Sequence, residues 1–451
     1  MFKAWITSLL ALWLTATAAA QAAHPAPPTP TDDPQYCGAC HQRIYKEYSS
    51  SVMGTDLKNP IVYQFFTATN AKGEKDGLGF QGVFPGQPGD CAQCHVPKLV
   101  LKEHQAGREV DLGKAIKDKS DFGISCSYCH SVQHAAVKKT GDRYKTGPVN
   151  TVTLDLSGAM HGPRKGVASQ VHPIKVDPFI RTAEFCSQCH LNQEEGHAKT
   201  RNEGQGVLAI STYEDWKKLY DAGAIKQTCV DCHMPVLPGK QEVALQSPKR
   251  EGTRAHSFGG AHDPETLKSA VTLDVDTRID GDTLVVSTVT ENVGAGHNVP
   301  GSGPIRGVLL KIDAWDAQGR QLSYIGGKDG LLHALAGMGN PKTGERGPQH
   351  WGGQPGRLYA KPLQSPPDPK TGQPRLGVGG FAAERIAFDT TLRYRQPDKA
   401  EFRFRLPEGK APVKVQATMV YRWAFIGLAD AKGWTVEDRL MRAVVREVPR
   451  L

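Results

Sequence analysis

The ten cysteines of this chain form five Cys-x-x-Cys pairs, and each pair is followed at once by histidine. The motifs are Cys37, Cys40, His41; Cys91, Cys94, His95; Cys126, Cys129, His130; Cys186, Cys189, His190; and Cys229, Cys232, His233. With 16 histidines in 451 residues, a histidine at one given position has odds of roughly one in 28, so five from five by chance is on the order of one in ten million. A disulfide framework, a set of zinc ribbons or a thioredoxin-like pair at Cys37-Gly-Ala-Cys40 would use the cysteines but would not need the histidines. Covalent haem needs both. Two thiols three residues apart on a helical turn add to the vinyl groups of one porphyrin, and the next residue projects its imidazole onto the iron. The sequence therefore predicts five covalent haem c groups, with the ten cysteines as attachment points and His41, His95, His130, His190 and His233 as proximal ligands.

This pattern constrains the fold. From Cys37 to Pro235 is 199 residues, or about forty per haem, too few to build a separate core around each. The porphyrins must supply much of the apolar interior, with short helices and Gly or Pro turns wrapped around them. Cysteine-to-cysteine steps of 54, 35, 60 and 43 residues exclude a tandem array of equal units. After about residue 264 there are no more cysteines, and the periodicity turns to two. "AVTLDVDTRIDGDTLVVSTVT" reads as a hairpin turning near Gly281, "GVLLKIDAWDAQGRQL" as a strand with a turn at Gly319, and "AEFRFRL" and "VKVQATMVYRW" as later strands. Residues 326 to 380, rich in Gly and Pro, read as a long irregular excursion. The expected fold class is α+β multidomain. It divides into a signal peptide (1–22), a Pro-rich extended spacer (23–36), an irregular, short-helical pentahaem domain (37–263) and a haem-free antiparallel β-sandwich-like domain (264–451).

The first residues have the form of a secretory signal, with Lys3, an apolar run from Ala4 through Leu14 and small residues at "TAAAQA". No later apolar run reaches spanning length. The reading is an exported protein, periplasmic or extracellular, with no transmembrane anchor after cleavage. A formal charge of +9 would ordinarily suggest acidic partners. Haem propionates change that balance, and the clusters Lys138, Lys139, Arg143, Lys145 and Arg164, Lys165 read as their neutralising groups. No base-stacking motif accompanies the charge, so nucleic acid is not an expected partner.

The stretches "CHQRIYKEYSSSVM", "GISCSYCHSV", "AEFCSQCH", "TYEDWKKLYDAGAIKQTCVDCHMP", "HSFGGAH" and "ENVGAGHNVPGSG" resemble the multihaem cytochrome c family related to cytochrome c-554, including exported members with a haem-free C-terminal domain. The resemblance implies low-spin haems with a histidine on each face and an electron-transfer role in respiration. It places distal ligands at His172 and His256. His161, in "GAMHGPRKG", and His134, just behind the third motif, are further candidates. His297, in "GAGHNVPG", is either a ligand reaching back from the sandwich or a turn histidine at the domain junction. His104, His197 and His262 rank lower, and His333 and His350 read as solvated.

One position departs from the family pattern. Where members carry a histidine two residues after a serine, Ser51 and Val52 are followed by Met53. Met53 is a distal thioether, a packing residue beside an open iron, or ordinary core. The preferred function is an exported electron carrier between redox partner proteins, with the sandwich as docking or assembly surface, and a homo-oligomer or a filament as the assembly compatible with it. The rival is a periplasmic multihaem reductase or oxidase of a small nitrogen or sulfur compound at one five-coordinate haem. Against it, pentahaem nitrite reductases place a lysine after one Cys-x-x-Cys pair, and all five pairs here end in histidine.

Overall fold

The computed structural model of the chain describes residues 32–141, 143–194, 207–339 and 344–450. The signal region, most of the spacer, His24 and His197 lie outside them. The described end of the spacer is not extended. Asp32 is buried against Ser127 at 3.2 Å and paired with Lys98 and Lys102, and Asp33 caps the first helix, Pro34–Gly38, by accepting from Gln35 N at 2.8 Å.

The N-terminal half is built of short helices, none longer than the ten residues of Thr212–Asp221 among those described. Each motif occupies a helical turn: Pro34–Gly38 with the turn that continues it, Cys91–His95, Cys126–Cys129, Ala183–His190 and Cys229–His233. Their starts are fixed locally. Ser125 accepts from Tyr128 N, and Thr228 and Asp231 form a reciprocal capping box. Because residues three apart share a helix face, each pair of thiols points the same way. The apolar clusters here are small, the largest being the nine buried residues around Phe66, Phe80, Leu99 and Leu112.

The C-terminal half is a two-sheet antiparallel sandwich. One sheet has the order Asp398–Arg405, Thr283–Asn292, Val271–Asp280, and the other Gly356–Tyr359, Gly307–Trp315, Val413–Arg422, Arg439–Val448. Asp280 pairs with Thr283 across a two-residue turn at Gly281, whose φ of 59° is the left-handed conformation that such turns require. Alternate residues point inward: Leu284, Val286 and Thr288 from one sheet meet Val308, Leu310 and Ile312 from the other, in a core of 24 buried apolar side chains.

The excursion 326–380 is more regular than its composition suggests. Gly356–Tyr359 is an edge strand, and Leu363–Pro367 centres a small three-stranded sheet with Pro374–Leu376 and Arg385–Ile386. A Cβ at Gly356 would lie 2.1 Å from Leu310 O, so glycine is what lets this strand approach its neighbour.

The two halves are joined across a packed junction. The helix Ile426–Lys432 ends in a fully buried lysine whose Nζ donates to Gln64 O at 3.3 Å and Thr69 O at 3.0 Å and pairs with Asp76 at 3.0 Å. Trp434 Nε1 donates to Gln64 Oε1 at 2.6 Å. Val207 and Ala209 pack against Leu363 and Ala383. Among the described residues no helix is long and apolar enough to cross a membrane.

Candidate functional site

One continuous cavity of about 2760 Å³ runs through the N-terminal half, and all ten cysteines and all five motif histidines line it. That is about 550 Å³ per motif, within the range of a pocket for one small organic molecule. None of the ten thiols is in a disulfide, and thiols of different motifs meet across the wall: Cys37 hydrogen-bonds Cys126, Cys94 meets Cys189, and Cys186 meets Cys229. The motifs are thus in lateral contact as one to three, two to four and four to five. Among the described residues no three His, Cys, Asp or Glu side chains converge on one point as they would around a bare metal ion. Attachment points spread along a cavity wall suit a porphyrin and not a zinc ribbon.

Ring orientation carries the test further. His41 Nδ1 donates to Val243 O at 2.7 Å, His130 Nδ1 to His161 O at 2.7 Å and His233 Nδ1 to Gly259 O at 2.5 Å, while His95 Nδ1 meets Asp56 Oδ2 at 2.6 Å. A histidine that ligates a metal fixes its ring by donating from the other nitrogen to a carbonyl or carboxylate. Four of the five proximal histidines do this, which leaves Nε2 for iron. Burial holds the His130 ring down, and pushes His190 down to about 4 with help from His233, Arg306 and His297. A neutral imidazole is the form that binds metal. Burial pushes His95 down too, but the Asp56 carboxylate outweighs it and raises the ring's affinity for protons.

Two of the motif histidines face a second imidazole. The His41 and His172 rings have centroids 6.4 Å apart, and the His233 and His297 rings also 6.4 Å, with an interplanar angle of 11° in the second pair. An iron bonded at about 2 Å to each of two imidazoles would separate their centroids by roughly 6 Å once each ring's radius of roughly 1 Å is added. His172 Nδ1 lies 3.2 Å from Pro173 O, and His297 Nδ1 lies 2.8 Å from Asn298 O, the same arrangement as on the proximal rings. His256 lines the cavity near His130. Its ring is pushed down to about 4 by burial first and by His130 next.

Other candidates stand elsewhere. His161 is 3% exposed and does not line the cavity, because its Nε2 meets Asp155 at 2.8 Å and its Nδ1 meets Asp177 at 2.9 Å. What it gives the site is the carbonyl that holds His130. His134 lies on the outward face of the strand Val132–Ala135, beside Phe179. His104 is exposed on the helix Pro97–Gln105. His262 lines the cavity. His333 is exposed, with one face of its ring on Phe388, whereas His350 is not solvated, because it is largely covered and meets Asp430 at 2.8 Å. Met53 lines the cavity on a tight turn, where Ser51 Oγ donates to Tyr48 O at 2.6 Å and accepts from Gly54 N at 3.1 Å. A Cβ on Gly54 would come 2.1 Å from Tyr48 O, so glycine permits that turn.

Of the basic clusters assigned to propionates, only Arg164 lines the cavity. Lys138 reaches Asn150 O, and Lys139 lies over the Tyr144 ring, both on a separate small hairpin. The cations on the wall are scattered in sequence: Lys98, Lys102, Arg181, Arg250, Arg254, Arg306 and Arg439. Burial, then Arg254 and Arg164, hold the Arg181 guanidinium below its usual value. Asp56, Val243 and Gly259, the partners of proximal rings, were not signalled by the sequence.

No protein-family profile and no curated protein sequence matches the chain. Among solved structures it is similar to a penta-heme cytochrome c552 from Thermochromatium tepidum, with a TM-score of 0.61 and 19% identity over 91% of this chain and 97% of that one. The chain has a multihaem cytochrome fold. At that identity the likeness speaks for architecture, and it extends through both halves. A second similarity, to a family 123 glycoside hydrolase from Clostridium perfringens, has a TM-score of 0.13 over 38% of this chain and carries no argument.

Proposed function

We propose that this chain is an exported electron-transfer cytochrome related to the cytochrome c-554 group, carrying five covalent haem c groups and passing electrons between redox partner proteins. The carrying observation is that all fifteen motif side chains line one cavity while two pairs of imidazoles face each other at 6.4 Å. In this reading Cys37 and Cys40, Cys91 and Cys94, Cys126 and Cys129, Cys186 and Cys189, and Cys229 and Cys232 hold the five groups. His172 is assigned opposite His41, His297 opposite His233, and His256 near His130. When bound, each haem supplies one-electron Fe(III)/Fe(II) exchange at a potential tuned by ligand, burial and charge. The protein's part is to hold neutral imidazoles in fixed orientation, keep neighbouring attachment turns in contact and exclude water with the apolar wall. The lateral contacts of the thiols support close packing of the five groups.

The reductase or oxidase reading keeps one specific support. Opposite His95, His130 and His190, no described residue presents an imidazole at the separation seen for the other two pairs. Carbon monoxide added to the reduced holoprotein decides between the readings. An intact mass five haems above the processed polypeptide, with no carbon monoxide shift, is expected for the carrier. Tight binding at one haem would move the assignment to an enzyme, and a colourless protein of bare polypeptide mass would end both readings.

A further inference from the structure

Motif one lies at the mouth of the cavity, clasped by two loops. Loop 163–176 carries His172, whose ring faces His41. Loop 238–251 carries Val243, whose carbonyl accepts from His41 Nδ1 at 2.7 Å, and Leu245, whose amide donates to Cys40 O at 2.9 Å. Arg164 ties the loops together by donating to Glu251 O at 2.9 Å.

Two properties of this mouth belong together. Tyr36, Leu156, Val171 and Leu245, which line the cavity here, are between 51% and 67% exposed. Around them the two loops carry six cations, Arg164, Lys165, Lys175, Lys240, Lys249 and Arg250, against two carboxylates, Glu242 and Glu251. Of the six, only Lys175 is ion-paired among the described residues, with Asp155. Lys165, Lys240 and Lys249 are exposed. Small transient interfaces of redox proteins combine an apolar centre with a polar rim, and a rim of one sign accelerates encounter with a partner of the other.

Building on the electron-transfer reading, we propose that this face docks an acidic one-electron carrier protein. One electron crosses per encounter, so that the carrier is oxidised and the centre at motif one reduced by the same single electron, with no bond made or broken. A second copy of the chain is the poorer occupant. Two copies would set one basic collar against another.

The test uses holoprotein and a reduced plant-type ferredoxin as acidic probe, with haem reduction followed by stopped flow from low to high ionic strength. The variant K165E/K240E/K249E is compared with K399E/K410E/K414E, which makes the same charge change at exposed lysines of the sandwich. The collar variant is expected to lower the low-salt second-order rate at least tenfold, and the sandwich variant only a few fold. The wild-type advantage is expected to disappear as the Debye length shrinks at high salt. Equal rates for the two variants, or a rate independent of salt, would overturn the proposal. So would variant-sensitive binding to phosphatidylserine vesicles without any effect on ferredoxin, since the collar would then serve a membrane. Reduction by dithionite, which needs no docking face, tests the underlying reading separately: haems that dithionite does not reduce would sink electron transfer itself.

Discussion

The seating of the His297 loop on the sandwich can be weakened at one residue, which meets His297 only at its backbone carbonyl. Asn292 continues the inward-facing row of the strand Thr283–Asn292 and is fully buried. Its Nδ2 donates to His297 O at 2.8 Å and Leu392 O at 3.2 Å, and its Oδ1 accepts from Ala295 N at 3.0 Å. Asn292→Ala deletes all three bonds and leaves their buried partners unsatisfied. At about 0.5–1.5 kcal/mol net per bond this amounts to roughly 2–4 kcal/mol. Such a change shifts the ratio of seated to displaced loop by a factor on the order of 100. Asn292→Asp keeps an acceptor for Ala295 N but sets a carboxylate oxygen against two carbonyls, so it should be no milder. The assay is the high-spin fraction and the carbon monoxide uptake of reduced holoprotein, read beside Tm. One haem's share of both is expected in either variant and in His297→Ala. If Asn292→Ala lowers Tm while every haem stays low-spin and indifferent to carbon monoxide, the residue only stabilises the sandwich and the reasoning fails. If His297→Ala also stays low-spin, the ligand assignment fails with it.

Asp56→Asn replaces the charged partner of His95 Nδ1 at 2.6 Å with a neutral acceptor. A charge-assisted bond exceeds a neutral one by about 1 kcal/mol; a one-electron centre would therefore rise in potential by about 40 mV. Spectroelectrochemical titration should show one midpoint moving up, and an unchanged set would count against His95 acting under Asp56. Asp121 carries a pH prediction. Burial first, and Asp32 after it, push its carboxyl up to about 6, against the opposing Gly123 amide and Lys102. The native state therefore keeps this proton to higher pH than the unfolded chain, and stability falls as pH rises from about 4 to 6, by at most about 3 kcal/mol. Asp121→Asn should flatten that slope and stabilise the protein at pH 7, as measured by denaturant midpoints at pH 4 and 7; an unaltered slope would refute it.

How legible each feature is in the sequence follows the range of the interaction behind it. Cys-x-x-Cys-His is a local device. Two thiols on one helical turn face the same way whatever surrounds them, so all five motifs stand on turns lining the cavity. The sandwich strands are legible for a similar reason, since alternation of period two survives any packing that leaves one face wet. The edge strand at Gly356 is obscured because its glycine, which permits close approach to Leu310, reads as a breaker. Distal histidines are a long-range problem. His161 looks like His172 in sequence, and only the fold shows two carboxylates, Asp155 and Asp177, closing on both its nitrogens. The carbonyls of Val243 and Gly259 that orient proximal rings have no signal at all, because any residue carries one.

The core is divided unequally between the two halves. The sandwich buries 24 apolar side chains of its own, enough to order it without a cofactor. The other half distributes small clusters around a cavity of about 2760 Å³, where the proposed haems would add apolar burial. The junction ties this half to the sandwich. Lys432, fully buried, has Asp76 as its ion-pair partner and the carbonyls of Gln64 and Thr69 as acceptors, and removing one partner of such a pair is costed at about 3–5 kcal/mol. That bond registers segment 60–76 on the sandwich. The same segment follows directly on Asp56, which orients His95, while the strand containing Asn292 leads into the loop of His297. The sandwich thus positions one imidazole, that of His297, through its own loop and another, that of His95, through the segment it grips.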